Sequence, residues 1–203
     1  IKQTIDYALS KNFTVNLYLE DWSSGMRDSR DYLFMMMDEL VKLPIKRFLL
    51  PDTLGILNPL QCVEYMRQMV RRYPNSHFDF HAHNDYDLAV SNSLAAVLSG
   101  AKGLHVTVNG LGERCGNAPL ASVQVILKDM FGAKTNIKED RLNDISRLVE
   151  GYSGIAVAPN TPVVGDNVFT QVAGVHADGD NKDKLYCNDL VPERFGRHRE
   201  YAL

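Results

Sequence analysis

Residues 78–98 read FDFHAHNDYDLAVSNSLAAVL, and this stretch decides the fold. Phe78 to His83 has the character of a strand, and Asp85 to Leu98 that of a helix with acids at its start and Gly100 just past its end. Side chains of a strand alternate faces, so His81 and His83 point the same way with Cα atoms about 6.5–7 Å apart. Two imidazoles so placed can converge on one metal ion at about 2.0–2.1 Å each. An HxH pair at a strand end is also compatible with two merely polar residues, and both readings stand at this level.

The same alternation extends on both sides. VNLYLE at 15–20, KRFLL at 46–50 and Gly103 to Val108 read as further strands. Helices are expected over Tyr32 to Leu43, after Pro59 with Val63, Met66, Met69, Val70 and Tyr73 on one face, and over Asn117 to Phe131. Ile1 to Asn12 reads as a helix already under way. Four strand–helix units imply parallel strands. Half of a (β/α)8 barrel and a doubly wound open sheet both satisfy that pattern, and periodicity alone does not separate them. After about Lys134 a helix is expected over Asp140 to Tyr152. Residues 154–186 are rich in Gly, Pro, Asn and Asp and read as a loop-dominated appended subdomain. The expected division is 1–133 for the barrel part and 134–203 for the linker subdomain.

Composition narrows the function. The chain has 203 residues, is 45% hydrophobic and carries a formal charge of −3, which excludes a disordered chain and an overall basic nucleic-acid binder. No apolar run approaches a membrane span, and no N-terminal signal peptide is evident. Cys62, Cys115 and Cys187 are odd in number and far apart, which points to a reducing cytoplasm. Cys115 has no identifiable base and reads as a small buried thiol. The Met35–Met37 run reads as core packing rather than a soft binding surface.

Further chemistry is expected where the other strands end. NGLGERCGN at 109–117 follows a strand, and its glycines let backbone groups approach an anion or an extended ligand, or else only satisfy a turn. It lacks the GK[ST] of a nucleotide-binding loop. Asn117 can offer an amide oxygen to a hard metal. Glu20-Asp21 and Asp52-Thr53 close two strands and suit acid–base work and carboxylate binding, with capping of the following loop as the alternative for Asp21 and Asp52. A lone loop histidine such as His176 is ordinarily solvated.

Taken together, LYLEDW (17–22), LPDTLG (50–55), HAHNDYDLAVSNSLAAV (81–97), NGLGERCGNAPL (109–120) and FTQVAGVHADG (169–179) resemble the acyl-CoA:2-keto-acid condensing enzymes. These are the 2-isopropylmalate, citramalate and homocitrate synthases, and YLEDW with VHADGDNKDKLY looks most like the citramalate branch. The resemblance implies condensation of acetyl-CoA with a 2-keto acid, pyruvate before 2-ketoisovalerate, in branched-chain amino-acid biosynthesis. It implies His81, His83 and Asn117 at a divalent metal (Zn, Mn or Mg), Thr53 on the keto-acid carboxylate, and Tyr18 lining the keto-acid pocket. It implies Glu20 in acid–base chemistry, and His176 with Tyr186 reaching the neighbouring subunit of a homodimer. The family's first-strand DGxR motif is missing, and Asp28 in GMRDS, read as a loop, is a poor substitute. Asp87 stands where the family often has glycine. The chain is therefore expected to be the C-terminal half of a TIM barrel plus the linker, without the regulatory domain and inactive alone. A metal-dependent hydrolase, an acyl-CoA lyase of the same superfamily and a non-catalytic assembly piece are the rival readings.

Overall fold

A computed structural model of the chain describes residues 1–183 and 185–201. It divides into two compact units, Ile1–Ala118 and Pro119–Leu203.

In the first unit, helix α1 (Lys2–Ser10) precedes strand β1 (Val15–Tyr18), helices α2 (Trp22–Asp28) and α3 (Arg30–Leu40), and strand β2 (Ile45–Asp52). Helix α4 (Pro59–Arg72), strand β3 (Phe78–Ala82), helix α5 (Ala89–Leu98) and strand β4 (Gly103–His105) follow. The four strands form one parallel sheet in the order β1-β2-β3-β4. The sheet is curled. β1 and β4 sit at its opposite edges, yet the Tyr18 hydroxyl lies 2.8 Å from His105 Nδ1. A flat sheet holds its first and fourth strands about 14 Å apart. Consecutive strand order with this closure is the arrangement of a (β/α) barrel, which settles the choice that periodicity left open.

β2 runs through Pro51, an unusual residue for an inner strand. Alternation points the missing N–H of Pro51 toward β1. There β1 makes its last bond at Leu19 N–H to the Leu49 carbonyl and then turns away at Asp21, so little pairing is lost. The helix-facing core is dense, with Trp22, Met26, Met37, Leu50, Leu57, Met66, Met69, Phe78 and Phe80 all fully buried. Of the methionine run only Met37 is core; Met35 is exposed. Asn58 starts α4 with a reciprocal cap: its side chain accepts from Gln61 N–H at 2.9 Å, and Gln61 Oε1 accepts from Asn58 N–H at 3.1 Å. Asn58→Ala is expected to cost about 0.5–2 kcal/mol, read as a lower urea midpoint with unchanged slope.

Several boundaries differ from expectation. α5 starts at Ala89, not Asp85, because Asn84 Oδ1 accepts the Ala89 N–H and Asp87 takes a left-handed φ of 58°. Aspartate is among the few residues besides glycine that adopt this φ readily. α2 occupies the segment that reads as a loop, and Asp28 closes it, exposed and paired with Arg27. β4 is shorter than expected, ending before a 3₁₀ turn at Val108–Gly110.

The second unit contains α6 (Leu120–Phe131), α7 (Leu142–Ser153), α8 (Gly174–Asp183) and a two-stranded parallel ribbon of β5 (Thr170–Gln171) and β6 (Glu200–Tyr201). Ala121 and Val125 of α6 share an apolar cluster with Leu142, Val163, Val164, Phe169 and Phe195 within this unit. α8 corrects the expectation of loop in this region. No described helix is long and apolar enough to cross a membrane.

Candidate active site

The C-terminal ends of the four parallel strands bring Glu20, Thr53, His81, His83 and Asn117 to one side of the sheet, where α/β barrels carry their chemistry. Thr53 joins two of these ends. Its hydroxyl donates to Glu20 Oε1 at 2.8 Å and accepts from Asp21 N–H at 3.0 Å. The Glu20 carboxylate is thereby oriented by the loop after β2.

The His81 and His83 rings are 5.0 Å apart and nearly perpendicular. Both Nδ1 atoms are buried with no protein partner. Burial, with the adjacent His83 and His105 rings, holds His81 down at about 4, against a smaller upward pull from Glu20. The ring is therefore neutral near pH 7, the form that ligates a metal.

Asn117 completes the approach. The backbone bridges His83, and its amide nitrogen lies 3.3 Å from His81 Nε2. Two donors about 2.1 Å from one cation sit roughly 3.0–3.4 Å apart, so this spacing is that of two groups serving one ion. A half-turn of the amide puts its oxygen in that place. The Gly loop makes room for it: a Cβ on Gly112 would overlap the Asn117 amide oxygen. Two imidazoles and one amide fit a divalent cation as a partial ligand set. Among the described residues no group of three or more His, Cys, Asp or Glu side chains is arranged to hold a metal ion.

The neighbouring acids divide by role. Asp52 is fully buried and accepts N–H bonds from Ile56 and Leu57, closing the loop after β2; burial raises its pKa. This is the capping alternative, not acid–base chemistry. Asp21 occupies the N-cap of α2 without making a side-chain cap bond. Arg114 makes a bidentate pair with Asp85 at 2.7 and 2.9 Å and donates to the Thr53 carbonyl at 2.7 Å. The guanidinium holds Asp85 below the usual carboxylate range and clasps the Gly loop to the two preceding loops. Cys115 is exposed rather than buried; the buried thiol is Cys62, whose pKa burial pushes up.

Sequence reasoning missed Asp79 and His105. Asp79 is buried on the same strand face as His81, and its carboxylate meets His77 Nε2 at 2.8 Å and Arg47 Nη1 at 3.2 Å. The period-two pattern that paired His81 with His83 also puts Asp79 on their face, so a signal existed. His176 and Tyr186 lie in the second unit, where their rings are 4.4 Å apart and tilted by 36°; His176 is on α8 and not in a loop.

Known proteins give this arrangement a family. The HMGL-like family profile matches residues 1–149, and the chain belongs to that family of TIM-barrel proteins. It is 41% identical over 203 residues to the homocitrate synthase of Saccharolobus solfataricus, and 37% identical over 205 residues to a Methanopyrus kandleri protein assigned as an (R)-citramalate synthase, CimA. All of this chain is covered in both, but only 43% and 39% of the relatives, so the chain spans about two-fifths of their length. A Bacillus subtilis HMG-CoA lyase shares the fold with a TM-score of 0.68 at 24% identity, over 77% of this chain and 55% of that one. An Acinetobacter baumannii HMG-CoA lyase solved with coenzyme A and 3-methylmalate superposes at 0.54 and 28% identity, over 62% of this chain and 43% of that one.

Proposed function

We propose that this chain carries part of the active site of an enzyme that condenses acetyl-CoA with a 2-keto acid and hydrolyses the thioester. The observation that carries the reading is the convergence of Asn117 and His81 at 3.3 Å beside the Thr53-oriented Glu20. The synthase relatives and the coenzyme A held by the related lyase support it.

His81, His83 and Asn117 would hold a divalent cation, which would supply Lewis-acid polarisation of the keto group. Manganese or magnesium suits the site where oxygen ligands complete it, and zinc where nitrogen dominates. Thr53 turns its hydroxyl proton from Glu20 to the keto-acid carboxylate. Glu20 takes a proton from the acetyl methyl group, the resulting enolate carbon bonds to the keto carbon as the C=O π bond breaks, and the keto oxygen takes up a proton from water to become the hydroxyl. Water then cleaves the thioester, releasing coenzyme A and a 2-hydroxy dicarboxylate. The Tyr18 ring narrows the keto-acid side and favours pyruvate, hence citramalate, over the branched 2-ketoisovalerate.

The same reading makes residues 1–133 the second half of a (β/α)8 barrel and 134–203 a linker. It makes the working form a cytoplasmic homodimer in branched-chain amino-acid biosynthesis, with His176 and Tyr186 of each subunit serving the other's site. The test is coenzyme A release by the intact natural polypeptide from acetyl-CoA across a keto-acid panel. Release dependent on a keto acid and greatest with pyruvate is expected. Release without any keto acid marks a hydrolase, and cleavage of a hydroxyacyl-CoA without condensation marks a lyase; either overturns the proposal.

A further inference from the structure

We infer that His105, tied to the buried Asp79, is a positioning residue that fixes the Tyr18 hydroxyl beside His81 and so sets which 2-keto acids are accepted. The inference rests on the proposed condensation for its substrate and on the geometry for its contact.

Tyr18 is half-exposed at the end of an edge strand. The contact that does so comes from across the sheet, where the hydroxyl meets His105 Nδ1 at 2.8 Å. A phenol donating to Nδ1 needs the lone pair there, which leaves the ring proton on Nε2. Nε2 faces Asp79 Oδ2 at 3.5 Å, and the carboxylate favours a proton on that side. Asp79 is in turn well anchored. It is 1% exposed and held by Arg47 and His77. Glycine at 103 is what gives it space, since a Cβ there would overlap Asp79 Oδ1. The chain of contacts runs from a fixed buried acid, through one imidazole tautomer, to the hydroxyl of a pocket-lining ring. His105 is also paired in register with His81, their rings 6.0 Å apart, and Tyr18 is 6.4 Å from His81. The three rings form one wall beside the candidate metal ligands. With the hydroxyl held, the phenol stands as a rigid boundary; once released, it can swing on its side-chain torsions and admit a longer keto acid.

The test is a double-mutant cycle in the intact natural polypeptide. Tyr18→Phe and His105→Ala are each expected to raise the pyruvate KM about 3- to 10-fold, the worth of one neutral hydrogen bond. They should also shift kcat/KM toward 2-ketobutyrate, with kcat and metal content little changed. The double variant should match either single one. His105→Asn, whose side-chain oxygen replaces Nδ1, should restore most of the pyruvate preference. Multiplicative effects in the double variant, or a wild-type pyruvate KM in His105→Ala, would overturn the inference. A readout independent of turnover is the ¹⁵N shift of His105 Nδ1 in histidine-labelled protein. It should move in Tyr18→Phe, and an unmoved resonance refutes the contact. Should the wild-type protein turn over no keto acid, the condensation reading fails, and the nitrogen shift alone decides the contact.

Discussion

Glu20→Gln is expected to lower kcat for acetyl-CoA condensation by about 10²–10⁴-fold, the usual cost of losing a general base. The substitution is chosen for what it preserves. Glutamine has the same length, and its amide oxygen can still accept the Thr53 hydroxyl that now reaches Glu20 Oε1 at 2.8 Å. Thr53 stays anchored by the Asp21 N–H, so the loop after β2 keeps its place. Basicity is what disappears. Metal content, measured by elemental analysis, should not change, because the amide–imidazole approach lies between Asn117 and His81 and does not include Glu20. The keto-acid KM should move little, because Thr53 keeps its hydroxyl and its anchor on the Asp21 N–H. A near-wild-type kcat in the intact polypeptide would remove Glu20 from the proton transfer and leave its contact with Thr53 as structural.

The amino-acid order discloses the scaffold more readily than the wiring of the site. Strand–helix alternation places Val15–Tyr18, Phe78–Ala82 and Pro59–Arg72 within a few residues, because each is written in local apolar spacing. His81 and His83 follow from strand alternation alone. By contrast, the partner that closes on Tyr18 is 87 positions away, and no periodicity predicts that the sheet curls far enough for β1 to touch β4. Glycine-rich composition also misleads. Gly174–Asp183 carries no amphipathic stripe yet forms a helix, with Ala177, Gly179 and Asp180 buried. Asp180 accepts from Gln171 and pairs with Arg199, contacts outside the helix that local propensity does not register. The late start of α5 has a similar origin. Asp85 and Asp87 look like first-turn acids, but Arg114 and Asn84 recruit them into the loop instead.

His81→Ala is expected to leave the intact polypeptide without stoichiometric divalent metal after dialysis, and without condensation activity. His81 sits at the junction of the donor set, 5.0 Å ring to ring from His83 and 3.3 Å from the Asn117 amide. Removing it separates the two remaining donors and leaves no shared point for a cation. The fold should persist. His81 is only half-buried and projects from the face opposite the packed Phe78 and Phe80, so the loss resembles a site deletion rather than a core cavity. His105→Ala is the informative contrast. That ring is also near His81, at 6.0 Å, but its nitrogens face Tyr18 and Asp79. It should therefore retain metal while losing discrimination between keto acids. Elemental analysis of the two variants side by side separates the roles. Unchanged metal in His81→Ala would refute the ligand assignment. Metal loss in both would mean that His105 belongs to the coordination shell, not to the wall around the substrate.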